Sequence, residues 1–192
     1  YYDFSHTNCV FRFLRKLNNC LLKKTMKKID RFILLTEQMR VALDIKDTPY
    51  LIVEGSIDSR VSSIHLNEII DNEKKIVFYA GSLNKVFGIV DLLKAFTMIN
   101  DPNYELWLCG KGDTEFLIKK YIMSDKRIKY FGFLSTTELI NLQNKATVLI
   151  NPRKNTEEYT KYSFPSKTLE YLATGKPTIM YRLEGVPEEY EK

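Results

Sequence analysis

Lys167 and Glu170 stand three residues apart in Tyr162-Ser-Phe-Pro-Ser-Lys-Thr-Leu-Glu-Tyr-Leu-Ala-Thr-Gly-Lys-Pro177. That stretch reads as a helix over about 164–174. Ser163 is a candidate N-cap, Pro165 fits the first turn and Gly175 fits the C-terminal stop. The spacing puts both charges on one helix face, away from the Leu169/Leu172 face expected to pack the core. Lys167 falls near the positive end of the helix dipole, where a cation is unfavourable unless an anion binds. That local cost points to a phosphate. The plainer reading is a surface ion pair worth about 0.2–0.5 kcal/mol.

Two glycine-bearing stretches carry weaker signals. In Gly81-Ser82-Leu83-Asn84-Lys85-Val86-Phe87-Gly88, Gly81 would let a ligand approach the backbone and Lys85 would offer charge to a phosphate. Gly110-Lys111-Gly112 ends an apolar run and opens a helical one, where free N–H groups attract anions. In both places a tight strand-to-helix turn also explains the glycines. No G-x-G-x-x-G is present, so this is no dinucleotide fingerprint.

The elements that must position these residues alternate. Strands are expected at 75–80, 105–109, 127–131, 147–150 and 177–181, with helices at about 87–99, 114–123, 135–144 and 164–174 between them. Five strands separated by helices predict an α/β, doubly wound, Rossmann-like parallel sheet. In such a sheet ligands bind beyond the carboxyl ends of the strands. That rule selects the loops 81–88, 110–113, 132–135, 151–166 and 182–188. Ahead of this unit come a helix over 9–29, short strands at 31–36 and 50–53, and a short helix at 37–44. The expected boundary separates residues 1–53, a partial N-terminal α/β segment, from residues 54–192. The chain starts at Tyr1 and shows no terminating element before Lys192, so it reads as a fragment.

The net charge of +5 lies entirely in residues 1–50, which carry ten Lys/Arg against five Asp/Glu. Residues 51–192 carry nineteen of each, which gives no nucleic-acid footprint. Cys9, Cys20 and Cys109 are odd in number and far apart, which fits a reducing compartment rather than disulfides or zinc. No apolar run spans a bilayer. Between Arg12 and Arg31 eight basic residues and one acid accompany Phe11, Phe13 and several leucines. Residues 11–31 therefore read either as an interfacial helix drawn to anionic lipid or as a solvated face of a larger domain. The expected location is cytoplasmic, with peripheral contact at the inner face of the cell membrane as the first of those readings requires.

The stretches YAGSLNKVFGIVDLLKAF, ELWLCGKGD, IKYFGFLSTTEL, VLINPR and FPSKTLEYLATGKPTI, in that order and spacing, resemble the C-terminal domain of retaining glycosyltransferases of GT-B fold, the group 1 family. The resemblance covers about two thirds of the chain. The last stretch looks most like the branch that builds bacterial surface polysaccharides. Residues 30–40, DRFILLTEQMR, resemble the end of the family's acceptor-binding N-terminal domain.

The resemblance implies transfer of a sugar from a nucleoside diphosphate sugar, UDP-sugar favoured, to a glycan or lipid-linked acceptor with retention. It implies no cofactor, and no Asp-x-Asp pair calls for a metal. By the same resemblance Glu170 matches the second glutamate of the E-x7-E motif and would hold the donor's ribose. Lys167 and the backbone of Ser163, Pro165 and Ser166 would hold the diphosphate. Gly81, Ser82 and Lys85, with Gly110 and Gly112, would line the phosphate side, and Phe133 and Leu134 the base. Lys167 and Lys85 would stabilise the leaving group. This sequence departs from the pattern at Tyr162, where the first glutamate is expected, so that role falls empty or to Glu157 or Glu158. It departs again at Phe87, where a basic residue is usual and Lys85 substitutes. His6 and His65 match no catalytic motif. An epimerase of the same architecture and a non-catalytic nucleotide-sugar sensor are the alternative readings.

Overall fold

The computed structural model describes residues 9–57, 74–156 and 158–191. His6, His65 and Glu157 lie outside them.

The run Lys75-Ile-Val-Phe-Tyr-Ala80 forms β3, and every residue after Lys75 is buried. A strand apolar on both faces belongs at the centre of a parallel sheet covered twice. β3 pairs in parallel with β4 (Tyr104–Cys109) on one side and β6 (Val148–Asn151) on the other. β5 (Ile128–Tyr130) and β7 (Thr178–Met180) complete the order β5-β4-β3-β6-β7. This is the doubly wound arrangement, so the expected fold class is the observed one.

Alternation along β3 divides the core. Val77 and Tyr79 face a layer built with Leu106, Leu108, Ile89, Leu93, Phe96 and Ile118. Those partners come partly from α3 (Ile89–Thr97) and α4 (Glu115–Ser124). Ile76, Phe78 and Ala80 face the opposite layer, with Leu149, Ala146, Cys109 and Tyr171. There α5 (Thr136–Lys145) and α6 (Ser166–Leu172) cover the sheet. α5 starts with a capping box between Ser135 and Glu138.

Element boundaries depart from expectation at two informative places. The helix expected from 87 begins instead with a 3-10 turn, Lys85–Phe87, because left-handed Gly88 (φ 81°) separates that turn from α3. α6 is shorter than expected and starts at Ser166, with Pro165 as N-cap and no side-chain cap bond. Ser163 is therefore not the cap. It stands too far ahead of the helix, and its hydroxyl accepts from Arg153 Nη2 at 3.1 Å. The buried face of α6 is Thr168, Leu169 and Tyr171, with Leu172 only half-buried. Gly175 is left-handed (φ 66°) as expected of a stop, two residues beyond the cap at Ala173.

Ahead of the sheet, α1 (Cys9–Met26) precedes β1 (Phe32–Leu34), α2 (Glu37–Ala42) and β2 (Tyr50–Ile52). β1 and β2 form a separate parallel pair. This segment touches the larger unit through Gln38 Nε2, which donates to the Glu184 carbonyl at 2.8 Å, and through Tyr190, whose hydroxyl donates to Glu54 at 2.6 Å. Among the described residues no helix is long and apolar enough to cross a membrane.

Candidate functional site

The connection after β3 and the connection after β6 leave the sheet in opposite directions, because the strand order reverses between these neighbours. Such a switch point opens a crevice at the carboxyl edge. A cleft of about 290 Å³ lies at that edge, over the ends of β3 and β4, and is lined by Gly81, Ser82, Gly110, Phe133, Leu134 and Lys167 among others. Six of the residues singled out in the sequence, scattered over nearly ninety positions, thus share one concavity. Ala80, Cys109, Lys111 and Leu139 complete the wall.

Lys167 reaches this cleft from α6. Its Nζ lies 3.1 Å from Glu170 Oε2, with the two side chains 33% and 35% exposed. A pair that open to solvent adds little stability, and both ends remain accessible to a ligand. Lys167 Cε also lies 3.8 Å from where a Cβ on Gly81 would stand.

α6 is pinned to the end of β3 by a residue that sequence reasoning passed over. The Tyr171 hydroxyl accepts from the Ala80 N–H at 2.9 Å and donates to the Ala80 carbonyl at 3.3 Å. Burial pushes its pKa far up, so the hydroxyl keeps the proton it donates. Tyr171 is adjacent to Glu170 and one turn past Lys167, so this double bond sets the height of both charges above the sheet. Its sequence signal, an aromatic in a helical pattern, looks like any core residue.

The two glycine loops are laced to each other. The Leu83 N–H donates to the Lys111 carbonyl at 2.8 Å, and the Lys85 N–H donates to Asp113 Oδ1 at 2.7 Å. The Asp113 N–H donates to Asn84 Oδ1 at 2.9 Å, and the Gly112 N–H donates to Glu115 Oε1 at 3.1 Å. The Gly110 N–H goes to the Gly132 carbonyl at 2.7 Å. The amides of Gly110, Gly112 and Asp113 therefore already have partners within the chain. A Cβ on Gly110 would fall 1.8 Å from the Gly81 carbonyl oxygen, and one on Gly112 would fall 2.2 Å from the Leu83 carbonyl carbon. These glycines bring two backbones together, and Gly110 adopts φ 128° to do so.

Other expected residues stand apart from the cleft wall. The Lys85 side chain is exposed on its turn and is not among the lining residues. Ser163 and Pro165 are half-buried and Ser166 is exposed. Tyr162, where the motif glutamate is missing, is half-buried at the end of a 3-10 turn, Glu158–Tyr162.

Cys109 is buried against this cleft. Burial raises its thiol to about 12, against a smaller pull from Lys167, so it stays protonated and is no nucleophile. Tyr79 is raised to about 12 by burial, opposed by the charge of Arg153. Its hydroxyl donates to the Ser82 carbonyl at 2.9 Å. The Arg153 guanidinium stacks 5.6 Å from the centre of the Phe87 ring. Arg153 lies in a loop that the sheet rule selects, but nothing in its spacing set it apart.

Residues 63–192 match the family model described as "Glycosyl transferases group 1". Sequence comparison with curated proteins gives no match. Among solved structures, the chain superposes on the lipopolysaccharide outer core galactosyltransferase WaaB with a TM-score of 0.62 at 16% identity, covering 83% of this chain and 45% of that one. Sucrose-phosphate synthase from Thermosynechococcus elongatus gives 0.63 at 19% identity, covering 94% and 46%. HepE from Anabaena, in complex with UDP, gives 0.65 at 14% identity, covering 81% and 46%. The chain thus spans less than half the length of each of these structures, and at such identities the likeness shows the fold.

Proposed function

The chain belongs to the group 1 glycosyl transferases, and from that premise we propose that it supplies the donor side of a retaining transfer from a nucleoside diphosphate sugar to a glycan or lipid-linked acceptor. The observation that carries this reading is the cleft over the carboxyl ends of β3 and β4, where Lys167 stands beside Gly81 while Phe133 and Leu134 line the same wall. Phe133 is 74% exposed and offers a bare ring face on which a base can stack. Glu170, an open carboxylate beside Lys167, suits ribose hydroxyls. The UDP bound to HepE, a protein of like fold, agrees with a UDP-sugar as donor.

In the reaction the bond from the anomeric carbon to the β-phosphate oxygen breaks, and its electron pair leaves with the nucleoside diphosphate. An acceptor hydroxyl oxygen bonds to the same carbon, and its proton passes to the departing phosphate oxygen. Positive charge fixed beside the departing phosphate lowers that barrier, and Lys167 is placed to supply it. Lys85, exposed on its turn, would add to this through side-chain movement toward the phosphates. Surface-polysaccharide synthesis, a cytoplasmic location and membrane contact through residues 11–31 complete the proposal. α1 exposes Phe13, Leu14, Leu17 and Leu21 beside its lysines, which favours a lipid-facing helix.

Calorimetric titration with UDP-, GDP-, ADP- and dTDP-sugars tests the donor site. A nucleoside diphosphate should bind far better than its nucleoside, and labelled sugar should pass to acceptor in the whole protein. Failure to bind any of the panel overturns the reading. Conversion of the donor to its epimer without acceptor would replace it with the epimerase.

A further inference from the structure

The cleft wall carries Lys167 and Lys111, but Lys111 Nζ lies 5.5 Å from the centre of the Phe133 ring, on the side read for the base, while the turn after β3 carries Ser82 and Phe87 and has Lys85 exposed. A further cation stands across the switch point. Gly88 allows this approach. A Cβ there would fall 2.0 Å from the Pro152 carbonyl oxygen, so only glycine lets the turn 85–88 pack directly on the loop after β6. The next residue in that loop is Arg153, and its guanidinium lies over the ring of Phe87. An aromatic ring at that position is a platform for a cation.

Two observations place Arg153 on the phosphate side. Nη2 donates to Ser163 Oγ at 3.1 Å, which holds the guanidinium between the turn after β3 and the approach to α6. The residue is half-buried, so its charge is poorly screened and still reachable. Phe87 lies on the turn that leaves Gly81 and Ser163 on the approach that leads to Lys167, so Arg153 stands between the two segments that carry the phosphate-side residues of the cleft.

We infer that Arg153 is the second cation of the diphosphate subsite, delivered from the β6 loop and seated on Phe87 in place of a basic residue on the β3 turn. The inference rests on the donor-site reading above. A guanidinium offers a fork of donors that matches two phosphate oxygens, where lysine offers a point charge. Phe87 and Arg153 then form one functional unit, and neither alone reads as a phosphate ligand.

The test titrates inorganic pyrophosphate, UDP and uridine against parent, Arg153→Gln, Arg153→Lys and the double variant Arg153→Gln with Phe87→Lys, each with a thermal melt. Arg153→Gln should weaken pyrophosphate and UDP roughly ten- to hundredfold and leave uridine within about twofold. Arg153→Lys, which keeps the charge and loses the fork, should weaken UDP by about three- to tenfold. Phe87→Lys added to Arg153→Gln should recover about tenfold, because it returns a cation to the β3 turn, and a mere brace between loops would gain nothing from it. If Arg153→Gln fails to fold, Arg153→Lys carries the test, and parent-like UDP binding in it overturns the assignment. Parent-like pyrophosphate binding in Arg153→Gln overturns the assignment, and so does equal loss of uridine and UDP. A parent that binds neither pyrophosphate nor any nucleoside diphosphate overturns the donor-site reading itself.

Discussion

The loop after β4 and the segment from the end of β6 through α6 meet the same edge of the sheet and use it oppositely. In the first, the amides of Gly110, Gly112 and Asp113 and the Lys111 carbonyl turn inward, onto Gly132, Glu115, Asn84 and Leu83. In the second, Arg153 and Lys167 hold charge at partly open positions, and their tethers are side-chain contacts that a ligand can share or replace. A glycine pair flanking a lysine reads as an anion loop or as a tight turn, and both glycines here press against the backbone of the turn after β3. The lysine of α6, read as a phosphate ligand with a surface ion pair as the plainer alternative, stands in the cleft. Glycine reports close approach, and only the third dimension tells whether a ligand or another strand of backbone is approaching.

The sharpest way to break this comparison is Gly110→Ala. Steric clash with the Gly81 carbonyl and a φ of 128° together should cost about 2–5 kcal/mol, lowering the melting temperature by roughly 5–15 °C. An unchanged melt would mean the two loops are not pressed together as described.

Lys167→Ala should do the reverse. Its melt should stay within about 2 °C of the parent, because an exposed i,i+3 pair contributes little. UDP binding should fall by roughly ten- to hundredfold, with uridine spared. Glu170→Gln should weaken both ligands alike, since a carboxylate on ribose does not reach the phosphates. Calorimetry that finds both variants parent-like would reduce the pair to surface decoration.

Tyr171→Phe links the two behaviours. Loss of the hydroxyl leaves the Ala80 N–H without its partner in the core, a cost of about 1–3 kcal/mol. UDP binding should also weaken several-fold as α6 loosens over Gly81. A stability loss with fully retained affinity would show that Tyr171 does not position Lys167.

The smallest effect is on the inward-turned loop. The Gly112 N–H is the main cause holding the Glu115 carboxyl below its ordinary value of 4.5. A depressed folded pKa contributes stability that is present above the ordinary value and is lost as pH falls through the folded one. Glu115→Gln should therefore flatten the dependence of stability on pH in that acid window, lowering the neutral melt slightly and leaving stability below the window unchanged. Unfolding curves taken across the window decide it.

The doubly wound sheet was legible in the sequence because its signal is local. Each strand is a short apolar run, each helix has its own periodicity, and their alternation admits few topologies. Lys75–Ala80 was placed to the residue for that reason. The rule that ligands collect at the carboxyl edge selects five loops, of which 81–88, 110–113 and 132–135 line the cleft. What the sequence by itself could not determine depends on distance between segments far apart in the chain. Spacing along α6 joins Lys167 to Glu170, but only folding brings Tyr171 to Ala80 and Arg153 to Phe87, across 91 and 66 positions of chain. The Ser163 hydroxyl was equally ambiguous, because a cap and a partner for Arg153 need the same oxygen. Tertiary packing chose the partner, by starting α6 at Ser166 and bringing the β6 loop within reach.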